Sequence, residues 1–349
     1  MKNITQIRVP SLVRIKPGAL SRLGIYLSRD NYRRVLVLTS PLPEAVAGVW
    51  RAALDSSGIE IAYFEEVEGN SFENAVRLFT ALPSKVACVV GIGGGKALDA
   101  AKYVAFLAGL PYLAAPTSLS NDGFCSPQSS LTLGGKRRSL PAALPDGVII
   151  DVDVCLGAPK NLWLSGVGDL VSKLTAVSDW KLAFHQRGEP VNDLAALLSD
   201  ASVLQFLGAP EFNARGMALL GTALMLNGIA MEICGSSRPA SGGEHLISHA
   251  LDATSLRPRL HGLQVGVAAY ILSHLQGGEY SATINRVFQE TGFWDEVRKD
   301  PFVRAEWLEA ARLAPSMKDN FFTVLSLRDC VPEIENMLDK DPTLRECFV

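Results

Sequence analysis

The sequence predicts an α/β domain built on a parallel sheet, followed by an all-helical domain. Three observations predict it. The first half alternates short, continuous apolar runs with segments of helical periodicity. After roughly residue 155, glycine and proline punctuation thins and helical spacing dominates. The chain has 349 residues, more than a single core usually serves. The expected division is 1–155 and 156–349, with the junction near Val148–Pro159, and a cleft between two domains is a favoured place for a ligand.

The elements follow in order. Arg34–Thr39 is a β-rich run closed by Ser40 and Pro41, and helical periodicity runs from Glu44 to Leu54. Ile59–Phe64 reads as a second strand. Ser71–Leu82 reads as a helix with Ser71 as its N-cap. Val86–Ile92 is a continuous apolar run that stops at glycines, and Tyr112–Ala115 is a further strand ending at Pro116 and Thr117. Continuous apolar strands separated by helices indicate a parallel sheet covered on both faces. In the second half, Leu162–Phe184, Asn213–Ile233, Gly243–Ala253 and Gln264–Leu275 read as helices, several apolar around most of their circumference, as buried helices are.

Composition excludes several classes. Hydrophobic residues make up 48% and charged residues 20%, which is the balance of a folded chain rather than a disordered one. A net charge of −3 gives no basic surplus for nucleic acid, and no Lys/Arg block argues for a membrane surface. The six cysteines form no CxxC pair and suggest reduced thiols. The N-terminal MKNITQIRVPSLVRI lacks the apolar run of a signal peptide, and no stretch is expected to span a bilayer. The expected location is the cytoplasm; neither a nucleic-acid nor a membrane partner is expected, and a homo-oligomer is compatible with the sequence.

Val89–Asp99 passes from strand through Gly91, Gly93, Gly94 and Gly95 into a helix. Backbone N–H groups at a helix N-terminus suit phosphate oxygens, and glycines let the ligand approach. The plain alternative is a tight strand-to-helix turn. The dinucleotide fingerprint would need glycine where Lys96 stands, and the P-loop would need another spacer and a hydroxyl where Ala97 stands. After the 34–39 strand no acidic residue offers itself to a ribose, so NAD and NADP are both admitted. A second stretch, Pro116–Pro127 with Thr117, Ser118, Ser120, Asp122 and Ser126, leaves the next strand at the same sheet edge. Its hydroxyls suit phosphate or amide groups, although such runs commonly form Asx-type turns.

Three of the five histidines fall between residues 245 and 261. His245 and His249 are four apart, on one helical face. Asp169 follows Gly166 and Gly168 and is placed in the first turn of a long helix, where dipole compensation would also explain it. One aspartate with two histidines would make a three-ligand cation site with an open position. The HExxH motif is absent, which argues against a metalloprotease.

Together these residues resemble the sn-glycerol-1-phosphate dehydrogenases. That family shares a superfamily with glycerol dehydrogenase, iron-containing alcohol dehydrogenases and 3-dehydroquinate synthase. GIGGGKALDAAK, PTSLSNDGFCSP, Gly147–Asp151, Gly168-Asp169 and Asp179–Ala183 carry the resemblance in order. GSSRPASGGEHLISHALD (235–252) with His261-Gly262 is its most specific piece. The resemblance implies a Rossmann-like parallel-sheet domain plus an all-α domain, as in dehydroquinate synthase. It implies cofactor contacts at Gly95, Lys96, Ala97, Leu98, Asp99, Thr117, Ser120 and Ser126, to which the loop chemistry adds Gly93, Gly94 and Ser118. It implies substrate contacts at Asp122 and His249. It also implies metal ligands at Asp169, His245 and His261, with Asp169 near the substrate as well. Lys96, Asn227, Gly243 and Leu263 depart from the family pattern of Thr, Ser, Ser and Glu.

The implied reaction is reduction of dihydroxyacetone phosphate to sn-glycerol 1-phosphate by NAD(P)H with one divalent metal, expected to be zinc. His249, or a water near it, is the candidate proton donor. Asp122 would orient substrate hydroxyls, and Arg238 is assigned to the substrate phosphate, although it could equally brace the helix start. Two other readings stand beside this one. The first is a dehydrogenase of another polyol or of a small phosphorylated or phosphonylated ketone. The second is a non-catalytic nucleotide-binding protein on the same scaffold.

Overall fold

The computed structural model describes residues 7–349. Residues 1–6, the start of the segment judged unlike a signal peptide, lie outside the described residues. The chain divides after Ala158 into two compact units.

The first unit is built on a six-stranded sheet. Its strands are β1 (Leu12–Lys16), β2 (Arg34–Thr39), β3 (Glu60–Glu66), β4 (Cys88–Gly93), β5 (Tyr112–Pro116) and, after a two-stranded insertion, β8 (Gly147–Asp151). The spatial order is β1-β8-β5-β4-β2-β3, and every neighbouring pair is parallel. Parallel strands need crossovers, and four helices flank the sheet: α1 (Leu23–Arg29), α2 (Glu44–Asp55), α3 (Phe72–Thr80) and α4 (Gly95–Ala108). Alternate residues of each strand face opposite ways. Val35, Val37, Val90 and Ile92 therefore join Leu27, Trp50 and Leu54 in one core, while Leu36, Leu38, Val89 and Ala114 join Ala75, Leu78 and Val104 in the other. The predicted cap holds: Ser71 Oγ accepts from Asn74 N at 3.1 Å.

The chain runs outward from β2 to β3, then returns to the other side of β2 and continues from β4 to β5 to β8. The order reverses between β2 and β4, and sheets of this kind bind ligands beyond the strand C-termini at such a point. The glycine loop follows β4 there. The insertion is an antiparallel hairpin, β6 (Gln128–Leu133) and β7 (Lys136–Pro141), which the sequence reading missed. Its turn places Gly134 and Gly135 at φ of 57° and 76°, where glycine is favoured. A short helix, α5 (Val152–Leu156), ends the unit.

The second unit is helical. It contains α6 (Lys160–Val171), α7 (Lys173–Arg187), α8 (Asp193–Leu207), α9 (Ala214–Cys234), α10 (Gly243–Thr254) and α11 (His261–Leu275), with shorter helices out to Arg345. Three expectations are corrected here. The stretch expected to be one helix over 162–184 is two, parted at Ser172. Asp169 accordingly lies in the last turn of α6 rather than the first turn of a long helix. The glycines before it are not loop punctuation. They sit inside α6, where α11 crosses closely: a Cβ on Gly168 would lie 2.0 Å from Gly262 O, and one on Gly262 would lie 1.7 Å from Ser165 O. By length and composition α9 could cross a membrane, contrary to expectation. Here Met217, Leu220, Leu224 and Met231 are buried, as in a core helix.

Candidate metal and cofactor sites

Three elements of the second unit bring Asp169, His245 and His261 together. Each offers one ligand atom, and these atoms lie within 4.8 Å of one another. Asp169 Oδ1 stands 3.5 Å from His245 Nε2 and 4.0 Å from His261 Nε2. The close α6–α11 crossing sets this spacing, because Gly262 directly follows His261 and Gly168 directly precedes Asp169.

The other ring nitrogens are held away from the cluster. Glu244 Oε1 lies 2.8 Å from His245 Nδ1. Fully buried, Glu244 also accepts from Gly242 N at 2.6 Å and from Thr175 Oγ1 at 3.0 Å. Ser248 Oγ lies 3.1 Å from His261 Nδ1 and accepts from Gln264 Nε2 at 2.9 Å. A carboxylate at Nδ1 accepts from that nitrogen's N–H, which keeps the proton there and leaves Nε2 as the basic nitrogen. Both Nε2 atoms face Asp169, so one carboxylate and two imidazoles suit a divalent cation with an open position.

A positive neighbour balances the carboxylate. Lys173 Nζ donates to Asp169 Oδ1 at 2.8 Å, and both side chains are buried. Burial alone would raise the Asp169 pKa. The Lys173 ammonium and the two imidazoles outweigh it and hold the carboxyl well below the usual carboxylate range. Burial pulls the His245 pKa down, but hydrogen bonds to Asp169 and Glu244 overcome this and raise it.

His249 lies one turn beyond His245 and is exposed. Its ring centroid is 6.5 Å from that of His245 and 6.4 Å from that of His261. The structure therefore separates buried His245 and partly buried His261 from His249, an exposed imidazole one turn along α10.

Arg238 is placed otherwise than assigned. It is 2% exposed, its Nε donates to Glu189 Oε1 at 2.6 Å, and its NH1 donates to Phe322 O at 2.8 Å. A second bond to Glu189 completes the pairing, and the guanidinium lies 3.8 Å over the Phe321 ring. These partners engage three of its five N–H groups and bury it, which fits the bracing role at the approach to α10 better than a phosphate contact. Two departures from the family pattern also have structural causes. A side chain on Gly243 would lie 2.6 Å from Leu272 Cδ2. Asn227 is buried and joins α9 to α8 through Ser199 and Ser202.

In the first unit Gly93 adopts φ 139°, and a Cβ there would lie 2.2 Å from Ser40 Oγ. Gly94 is the N-cap of α4, and its N–H donates to Ser40 Oγ at 3.3 Å. Nothing of the chain lies within 4 Å of where a Cβ on Gly94 or Gly95 would stand. The N–H groups of the helix's first turn, at Gly95, Lys96 and Ala97, have no intrahelical acceptor, so the loop suits a pyrophosphate. Lys96 is exposed, whereas the side chains of Ala97 and Leu98 are buried, so only their backbone could serve a cofactor. Thr117 N donates to Gly93 O at 3.1 Å, tying the two loops together. Thr117, Ser118, Ser120 and Asp122 are half-buried, and Ser126 turns its hydroxyl onto Gln128 O at 2.9 Å.

Sequence reasoning missed Lys173, Thr175, Glu244, Ser248 and Gln264 as partners of the cluster. Lys173, four residues after Asp169, carried a readable signal: a lone cation in the otherwise uncharged run Leu170–Ser178.

The family model described as iron-containing alcohol dehydrogenase matches residues 14–159. The chain is 37% identical to the glycerol-1-phosphate dehydrogenase [NAD(P)+] of Thermofilum pendens, over 77% of this chain and 79% of that one. It is 34% identical to the enzyme of the same name from Aeropyrum pernix, over 95% and 96%. Among solved structures, glycerol dehydrogenase from Schizosaccharomyces pombe superposes with a TM-score of 0.75 at 19% identity, covering 96% of this chain and 91% of that one. Sulfoacetaldehyde reductase from Bifidobacterium kashiwanohense, solved with NAD+, gives 0.72 at 14% identity over 96% and 99%. These structural likenesses establish the fold.

Proposed function

Because the chain belongs to the glycerol-1-phosphate dehydrogenase family, we propose that it is a metal-dependent NAD(P)H oxidoreductase that reduces dihydroxyacetone phosphate to sn-glycerol 1-phosphate. The observation that carries this reading is the largely buried Asp169–His245–His261 cluster in a chain aligned with the Aeropyrum pernix relative over nearly its whole length.

Asp169, His245 and His261 would hold the divalent metal, for which zinc is our choice. When bound, the metal polarises the ketone oxygen, and the reduced nicotinamide supplies the hydride. Lys173 balances the charge of Asp169. Glu244 and Ser248 fix the two imidazoles so that Nε2 of each serves the site. His249, or a water it holds, gives a proton to the substrate oxygen as charge develops there, a role suited to an exposed imidazole. Gly93–Asp99 bind the pyrophosphate through backbone N–H groups, with Thr117, Ser118 and Ser120 contributing hydroxyls, and Asp122 orients a substrate hydroxyl. Arg238 is withdrawn from the phosphate role. The six cysteines are all free and most are buried, which supports a reducing, cytoplasmic setting.

A second reading keeps the chemistry and changes the ketone. It rests on Leu263, a buried apolar residue two positions past His261 where the family pattern has Glu. Initial rates of NADH and NADPH oxidation with zinc-loaded protein separate the readings. We expect dihydroxyacetone phosphate to exceed dihydroxyacetone and phosphonylated ketones by at least tenfold in kcat/KM. A reversed order would favour the second.

A further inference from the structure

Lys102 lies on α4, three residues past Asp99, and its side chain is 1% exposed. Its ammonium donates to Gly123 O and, at 2.8 Å, to Gln128 O. Asp99 Oδ1 stands 3.7 Å away. The two carbonyls bracket the turn that carries Ser126. Ser126 itself bonds both, donating from N to Gly123 O at 3.3 Å and from Oγ to Gln128 O. Asp122 directly precedes Gly123. Asp99 reaches the same stretch by accepting from the backbone of Ser130.

A buried ammonium is costly, and a hydrocarbon side chain would fill the same space. What the ammonium adds is a fixed position for two carbonyls, one in the turn at Gly123 and one at the first residue of β6, on either side of a stretch outside the strand ladders. We propose that Lys102 is a positioning residue: it clamps the 122–128 segment to the helix that begins at the glycine loop, so that the two cofactor-contacting stretches form one rigid body. The pair Asp99–Lys102 thus acts beneath the cofactor site, with Asp99 balancing the ammonium. The clamp itself is read from geometry; its consequence for catalysis rests on the function proposed above.

The test uses zinc-loaded full-length protein and NADH as probe. Lys102→Met is expected to keep its zinc, raise the NADH Kd at least tenfold by fluorescence titration, and raise the KM for NADH by a larger factor than it lowers kcat. Lys102→Gln, which keeps one donor group, is expected to fall between. A purely structural lysine would lower the melting temperature and leave Kd alone, so a folded Lys102→Met within threefold of the parent overturns the proposal. Hydrogen exchange on the unaltered chain gives a second readout that needs no variant. Amides of 122–128 are expected to exchange as slowly as those of 100–105, with or without NADH; exchange at loop rates overturns the clamp. An unaltered chain that fails to bind NADH would sink the functional reading while exchange still decides the clamp.

Discussion

His245 illustrates how much one residue depends on its neighbour. Its Nδ1 faces a buried glutamate and its Nε2 faces Asp169. Partners of this kind set ligand basicity and orientation, and losing one typically costs about 10–100-fold in metal affinity. Glu244→Gln is therefore expected to weaken zinc binding by that order in a chelator competition while the protein stays folded. His245→Ala is expected to lose both zinc and turnover; full metal content in that variant would remove His245 from the ligand set. Arg238 gives the opposite kind of prediction. Arg238→Ala leaves Glu189 and Phe322 O without their partner and is expected to destabilise the fold by about 1–3 kcal/mol in denaturant titration, since Glu189 is partly exposed and regains water. The KM for the phosphorylated ketone should stay within threefold, whereas a large rise would restore the phosphate role. The ligand residues were legible because aspartate and histidine stand out by chemistry. The roles of Glu244 and Arg238 were not, because they depend on which groups the fold sets beside them.

Among the elements, the α6–α11 crossing decides the geometry of the cluster. Gly168 and Gly262 allow the two backbones to touch, and no side chain fits at either place. Gly262→Ala forces α11 outward at the residue after a ligand. Overpacking of this kind typically costs about 1–3 kcal/mol, and zinc affinity is expected to fall at least tenfold with it; unchanged affinity would mean that the crossing does not set the spacing. The start of α10 has its own device. Asp179 on α7 accepts from Gly243 N and Val324 N, each at 2.8 Å. Burial and the nearby Glu244 charge push its pKa up to about 7, despite those bonds. A carboxyl with a raised folded pKa binds its proton more tightly when folded, so stability falls as pH rises from about 4 to about 7. Three pKa units correspond to roughly 4 kcal/mol at most. Asp179→Asn is expected to flatten this decline in melting temperature between pH 4.5 and 7.5, at the cost of one backbone hydrogen bond. An undiminished slope would assign the pH dependence to other groups. The glycines in α6 also show why the sequence misplaced Asp169. Glycine breaks helices by propensity, and only the facing helix reveals that Gly168 makes room for a backbone.

For the whole molecule, the parallel sheet and the helical second unit were legible from periodicity alone, since continuous apolar strands and helices apolar all round have few other solutions. Strand order was not. Sequence places β4 after β3, but pairing sets β4 beside β2, and this reversal puts the glycine loop at the point where ligands bind. The β6–β7 hairpin was missed because β7 is polar and almost entirely exposed, and because one of the two residues β6 buries is a serine, which leaves little apolar alternation to read. The central claim is that this chain reduces a ketone with NAD(P)H through a metal held by Asp169, His245 and His261. The most direct measurement is the rate of NADH oxidation with dihydroxyacetone phosphate before chelation, after it, and after zinc is restored, with metal content determined at each stage. About one zinc per chain, loss of at least 99% of the rate on removal, and recovery on return are expected. Turnover that persists in fully metal-free protein would contradict that claim.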